Sequence, residues 1–488
     1  VARGDGGLRG PFRAPVFVML GSLLRFRTRH QPLMVRLAYR YELRTALTYP
    51  LAASLAEGSF TGVVAAKFFG ASQLLIAVIS AAPMFGNIMA LVWAELAKNR
   101  RKVPFVNMLQ LGVVLSIAAA ALTAYVPSRV VGAWLFALTI ICARLMASGI
   151  ITLRSAIWRL NYPRHLRGQI IGRITVVATA VLACATFIGS AWLDRNPRAF
   201  VYLYPGAAAL GAMGIWQFAR IRVRRERQIL RRQQLYTPRP ESLAQTDEAN
   251  VLNYEPENGR GLWGFMSSAR RILQRDLDFR RYQRWQFLAG FAFMMFGPSL
   301  LYMVSQEMTD KRTQYLLATV VLQIVPMFFT LLCTQLWAPL FDRMHITRFR
   351  VAQTAVAAVG QAVLLAGALL GLHVSNTAGL AVVAVGQMLI GIATAGGNLA
   401  WNLGHNDFAA AEEAGSYMAV HVMLTGLRGC IAPFVGVALY KYVTGRYLFA
   451  VSMMCSIAAL VGFWKMARHA PRRMEPRTKP PRAAPSRR

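Results

Sequence analysis

Ser72-Gln73-Leu74-Leu75-Ile76-Ala77-Val78-Ile79-Ser80-Ala81-Ala82-Pro83-Met84-Phe85 opens an apolar run that closes on Trp93-Ala94-Glu95-Leu96. Thr313-Gln314 opens a second run, which passes Pro326-Met327-Phe328 and closes on Trp337-Ala338-Pro339-Leu340. The prolines stand 243 residues apart (326 − 83) and the tryptophans 244 (337 − 93). A third pair keeps the interval, Trp158-Arg159-Leu160 against Trp401-Asn402-Leu403, at 243 (401 − 158). An interval held at three places in a chain of 488 residues implies two similar halves.

The solvent those halves fold in follows from composition. Hydrophobic residues make up 56% of the chain and charged residues 15%, and the mean hydropathy is +0.39, too apolar for a soluble domain of this length. The apolar runs are about 20 residues or longer, enough to cross roughly 30 Å of hydrocarbon as helices and unlike the short alternating strands of a membrane barrel. The expected fold is all-α: a polytopic membrane protein with twelve transmembrane helices in two pseudo-symmetric six-helix bundles. The spans are predicted at 46–69, 72–96, 103–126, 131–153, 173–193, 199–219, 285–305, 314–338, 350–372, 377–400, 418–441 and 446–466. The domains are then a basic N-terminal arm at 1–45, bundles at 46–219 and 285–466, a cytoplasmic linker at 220–284 and a disordered basic tail at 467–488.

The net charge of +35 would suggest nucleic-acid binding in a soluble protein. Here the basic residues gather in loops on alternate sides of successive spans: Arg25, Arg27, Arg29, Arg36, Arg40 and Arg44, then Lys98 to Lys102, then Arg154 to Arg173, the middle segment and the tail. By the positive-inside rule they mark one cytoplasmic face, attracted to anionic lipids, with both termini on it. No nucleic-acid partner is expected, since no reader motif accompanies the charge. Val16 to Leu24 reads as an interfacial helix rather than a signal sequence, because no small-residue cleavage pattern follows it. Leu262 to Trp285, with Trp263, Phe265, Ile272, Leu277 and Phe279 among arginines, reads as an amphipathic helix on the lipid surface or one that binds a partner. All five cysteines lie in apolar runs, and their odd number implies no disulfide framework.

Six spans, a long linker, six further spans and a basic loop after the second span of each half resemble the major facilitator superfamily over nearly the whole chain. The family's loop signature is approximated by Ala94-Glu95-Leu96-Ala97-Lys98-Asn99-Arg100-Arg101-Lys102 and, more closely, by Ala338-Pro339-Leu340-Phe341-Asp342-Arg343-Met344-His345. Lys98 stands where the family carries an aspartate, so Asp342, with Arg343, is the expected gating pair. Pro163-Arg164-His165-Leu166-Arg167-Gly168 is similar to the family's loop between spans four and five, and its counterpart Glu412-Glu413-Ala414-Gly415 lacks the basic residue. The resemblance implies a secondary transporter in a cytoplasmic (inner) membrane that moves a small organic solute by alternating access, as a monomer, with no catalytic activity, cofactor or metal.

Ionisable side chains deep in a span are costly unless paired or hydrated, which makes them candidates for function. Glu57 lies about eleven residues into the first predicted span, roughly 16 Å at the helical rise. Arg144 and Arg428 lie near the centres of spans four and eleven. In the family these helices line the central cavity, which implies proton coupling through Glu57 and Arg144 and substrate binding through Arg144, Arg428, Gln387, Asn398 and Asn402. Arg144 sits in a stretch similar to the span-four arginine motif of proton-coupled exporters, with Ser148 where the motif has glycine; export is favoured slightly over import. Gln387 is its repeat mate at an interval of 243 (387 − 144). A Glu57–Arg144 pair could equally be a static brace, and Arg428 could hold an anionic substrate or brace a carbonyl. Ala432-Pro433-Phe434-Val435-Gly436 resembles the family's antiporter signature, displaced here from span five to span eleven. Asn87, His405 and His421 are weaker candidates. His405-Asn406-Asp407 is the one near approach to an interfacial lipid-modifying enzyme, and a sensor built on a transporter fold is the other alternative. No phosphate loop, H-E-x-x-H or C-x-x-C occurs, so a solute or ion gradient would have to drive transport.

Overall fold

A computed structural model describes residues 32–97, 100–224, 262–409 and 414–470, together with 226, 228 and 230. Every regular element among them is a helix. The N-terminal arm up to residue 31, Lys98, most of the middle segment, Glu412, Glu413 and the tail lie outside the described residues.

The first span is built from two helices, α1 (Leu33–Ala53) and α2 (Gly58–Phe68), joined through a short turn. Spans two to six are α3 (Gln73–Leu96), α4 (Lys102–Leu122), α5 (Arg129–Asn161), α6 (Arg164–Arg195) and α7 (Phe200–Phe218). A helix outside the count of spans, α8 (Leu262–Arg275), precedes span seven, α9 (Leu277–Tyr302). Span eight divides into α10 (Tyr315–Thr319), a π turn at Val320–Ile324 and α11 (Val325–Arg343). Spans nine to twelve are α12 (Ile346–His373), α13 (Asn376–Leu403), α14 (Ala414–Leu439) and α15 (Leu448–His469). Among the described residues nine helical segments are long and apolar enough to cross a bilayer alone, one of them covering both of the last two spans. The first span misses that measure because it is broken, and the second counts only as a shorter apolar helix, Gln73–Met89.

Several helices run past their predicted ends. The first begins at Leu33 rather than 46, and the fourth continues to Asn161 rather than 153. Counting apolar residues stops these two spans at the charges that flank them, Arg44 and Arg154, whereas the helix persists where its charges pair or reach the headgroups. Leu115, Leu122, Ile151, Ile188 and Met213 are exposed on the outer surfaces of the spans, as lipid contact requires. Aromatic residues stand near both ends: Tyr125, Tyr202, Tyr442 and Tyr447 at the end away from the termini, Trp216 and Trp464 at the end that carries them. The guanidinium of Arg220 lies 3.7 Å from the Trp216 ring and that of Arg468 lies 3.5 Å from the Trp464 ring, anchoring those helices where hydrocarbon meets water.

The two-fold repeat is visible in packing. Trp93 donates its indole N–H to the carbonyl of Leu145 at 2.8 Å, and Trp337 donates to that of Ile392 at 2.9 Å. The same rings press on Gly149 and Gly396. These partners are 247 apart (392 − 145 and 396 − 149), one helical turn beyond the interval read from the sequence. In space the counterpart of Arg144 is therefore Gly391 (144 + 247), not Gln387. The α8 helix also differs from a purely lipid-bound one, because Ala269, Ile272 and Leu273 join the apolar core at the termini end of the C-terminal half.

At that same end of the N-terminal half, Glu42 is 1% exposed. Its carboxylate accepts from Nε of Arg154 at 3.1 Å and from the Trp158 indole at 2.9 Å, and it is paired with Nη2 of Arg154 as well. This three-way contact clamps span one to span four. Glu42→Ala would strand the largely buried Arg154 charge, with an expected loss of about 3–5 kcal/mol. Thermal unfolding in detergent should show a clearly lowered midpoint, and an unchanged one would mean that the clamp is dispensable.

Candidate functional site

The break in the first span is written in its backbone. After the turn at Ser54–Ala56, Glu57 adopts an extended conformation (φ −127°, ψ 146°) and Gly58 a left-handed one (φ +70°), which glycine tolerates at no steric cost. The helix restarts at Gly58, and its early N–H groups need acceptors. Oε1 of Gln323, from the opposite half, accepts from the N–H of Phe60 at 2.7 Å. Span eight is irregular at the same place, since its π turn frees the carbonyl of Leu322. That oxygen accepts from the hydroxyl of Ser59 at 3.2 Å and from the amide of Gln387 at 3.5 Å.

Leaving the helix carries the Glu57 carboxylate to within 3.4 Å of Nη1 of Arg144, with 46% of the Glu57 side chain exposed against 16% for Arg144. The pair is half-wet: the acid meets solvent while the base is mostly enclosed. Glu57 thus lies at a helix break, not on a continuous helix, and Gln387 is buried against span eight instead of sharing a cavity with Arg428.

The second polar site lies within the C-terminal half. A cavity of about 170 Å³ is lined from spans seven, nine, ten, eleven and twelve, with Arg350, Asn398, Trp401 and Arg428 on its walls. Nη1 of Arg428 donates to the carbonyl of Gln286 at 2.7 Å, and a Cβ at Gly290 would collide with its guanidinium. Nη1 of Arg350 donates to Oε1 of Gln353 at 2.7 Å, and Gln353 donates to the carbonyl of Ala393 at 3.1 Å. Asn402 turns away, exposed, and donates to the carbonyl of Asn398 at 2.7 Å. His421 is buried, 3.3 Å from the side chain of Gln283, with its ring 5.7 Å from that of Trp401. Sequence reasoning passed over Arg350, which stands at the first residue of its predicted span.

The hydrogen bonds that join the halves gather toward the end away from the termini. Lys67, buried, donates to the carbonyl of Ser305 at 3.1 Å, to the hydroxyl of Thr309 at 2.9 Å and to the carbonyl of Asp310. Gln306 donates to the carbonyl of Ala66 at 2.7 Å, and Ser190 bonds Thr319 at 2.8 Å. The carboxylate of Asp194 accepts from the N–H groups of Tyr315 and Leu316 at the start of span eight. Positive Lys67 thus meets the C-terminal end of span seven, and negative Asp194 meets the N-terminal end of span eight, each matching the helix dipole. In the loop between them, the N–H of Arg312 and the hydroxyl and N–H of Thr313 hold the Asp310 carboxyl below its usual range. The expected gating residues Asp342 and Arg343 are exposed at the opposite end.

Asp407, from the candidate enzyme cluster, accepts from the N–H of Ile346 at 2.7 Å and so caps span nine. Among the described residues no group of three or more His, Cys, Asp or Glu side chains is placed to hold a metal.

No family profile and no curated protein matches the chain in sequence. Solved structures do match in shape. The xylose transporter XylE from E. coli, in a partially occluded inward-open conformation, aligns with a TM-score of 0.61 at 12% identity, over 92% of this chain and 100% of that one. A D-xylose–proton symporter aligns with a TM-score of 0.59 at 14% identity, over 88% and 96% of the two chains. A mutant of the nucleoside transporter NupG gives 0.59 at 12% identity, over 88% and 99%. The all-helical architecture of the described residues and this likeness over full-length neighbours show that the chain shares the fold of these transporters.

Proposed function

We propose that the chain is a secondary transporter that moves a small organic solute by alternating access, coupled to protons through Glu57. The half-wet Glu57–Arg144 pair at the break of the first span carries this reading. A proton arriving from the cavity would neutralise Glu57 and remove its attraction for Arg144, freeing the short helix α2 to move with its contacts on span eight. Loss of the proton would restore the pair. A carboxylate that solvent reaches and an enclosed guanidinium suit that cycle, whereas a static brace gains nothing from exposure.

The bundles at 46–219 and 285–466 would rock about their shared faces, with Arg428 and Asn398 contacting solute. Closure away from the termini corresponds to an inward-facing state if the termini are cytoplasmic, as the concentration of arginine at their end favours. In this reading the chain works as a monomer in a cytoplasmic membrane, with its basic face on anionic lipid. The span-four arginine favours export, driven by protons that return through the same cleft.

Two outcomes follow. In proteoliposomes under an imposed pH gradient, Glu57→Gln should abolish accumulation while solute exchange at equal concentrations continues; accumulation at the native level would remove Glu57 from coupling. Lys67→Met should loosen the closure opposite the termini. Spin labels at the exposed positions Val130 and Val374, with the native cysteines replaced, should then report a longer-distance population beside the native one. An identical distance distribution would leave Lys67 no part in gating.

A further inference from the structure

The cavity of the C-terminal half encloses two guanidinium groups and no acid. Arg350 and Arg428 are each 5% exposed, and no Asp or Glu is among the residues that line the space. Their hydrogen-bond partners are neutral: Gln353 for Arg350, the Gln286 carbonyl for Arg428. Phe463 stacks against Arg350, with 5.4 Å between guanidinium and ring centre. Nε of both arginines is buried without a hydrogen-bond partner. Two permanent charges withdrawn from water, facing a shared space without a counter-ion, form an unfinished arrangement.

We propose that this cavity binds a small organic dianion, with Arg350 and Arg428 as its binding residues. The shared chemistry is two negative charges within one short molecule, carried on a dicarboxylate or gathered on a phosphate monoester. Guanidinium forks suit both, because each offers paired N–H groups to two oxygens at once. The remaining wall mixes Phe293, Met294 and Trp401 with neutral polar groups such as Gln361, Thr394 and Asn398, so it suits a short carbon body beside the charges and offers neutral hydrogen bonds along it. Gly290 keeps open the place that the Arg428 guanidinium occupies. Identifying this anion as the transported solute rests on the transport reading; its binding does not.

Calorimetry and thermal unfolding on the purified full chain in detergent test the proposal with two ligand series, each of which loses one negative charge per step. One is succinate, succinamate and succinamide; the other is methyl, dimethyl and trimethyl phosphate. Affinity should fall on the order of tenfold or more for each charge removed, as for a lost charge-assisted hydrogen bond. The series that binds tells dicarboxylate from phosphate. Arg350→Gln should erase most of the preference for dianion over monoanion, and Arg350→Lys should restore part of it.

Equal affinity across both series, no dianion binding at millimolar concentration, or undiminished charge dependence in Arg350→Gln would overturn the proposal. If that variant does not fold, the ligand series on the native chain decides alone. Charge-dependent binding without accumulation in proteoliposomes would uphold this site and remove the transport reading. Accumulation of neutral solutes with no dianion binding would do the reverse.

Discussion

A helix cannot be interrupted inside hydrocarbon unless the backbone groups it releases find partners within the protein. That constraint organises the centre of this molecule. The first span releases the Phe60 N–H where it restarts after Glu57, and the π turn of the eighth releases the Leu322 carbonyl. Each irregularity satisfies the other through Gln323 and Ser59, while Gln387 adds a second donor to Leu322. Neither defect would be tolerable alone. Together they stitch the halves and allow Glu57 to leave the helix for Arg144. The break, with Pro50 in the turn before it and a glycine at φ +70°, is thus part of the architecture.

The duplication copied the scaffold and not the charges. Proline and tryptophan recur at equivalent places, and both indoles bond a carbonyl on the facing helix. The polar sites divide differently. The N-terminal half holds an acid–base pair at 3.4 Å that is open to solvent, and the C-terminal half holds two enclosed bases with neutral partners. Under the proposed function the first arrangement would answer to protons and the second to an anion, so that two halves of one shape would tell ion from solute.

Much of this was legible in the sequence, and the failures have physical causes. Spacing of the tryptophans and prolines gave the two-fold architecture, and depth along a span singled out Glu57, Arg144 and Arg428. The repeat mate of Arg144 was misplaced by four residues because a slip of one turn returns nearly the same helix face, so apolar pattern cannot detect it. Lys67, Asp194 and Arg350 were missed because charges near the ends of a span resemble ordinary interfacial residues. Only the packed helices show that Lys67 is buried across the halves and that Arg350 points into a cavity. Gln323 carried no signal at all, since its role depends on a break in another helix.

The closed end has a chemistry suited to opening again. Among the described residues Lys67 and Asp194 form no ion pair; they engage backbone groups at the ends of spans seven and eight, and Lys67 also the hydroxyl of Thr309. Charge-assisted hydrogen bonds of this kind contribute about 1.5–3 kcal/mol each when their loss leaves a buried group bare. Here separation admits water, which can solvate ammonium, carboxylate and the freed helix ends alike. The net difference between closed and open is therefore far smaller than the sum of the bonds. A buried ion pair across the halves would have held one state too firmly, and an apolar seam would have resisted wetting. In the proposed transport cycle, charge set against helix ends would keep the two states close enough in free energy for differential binding to choose between them.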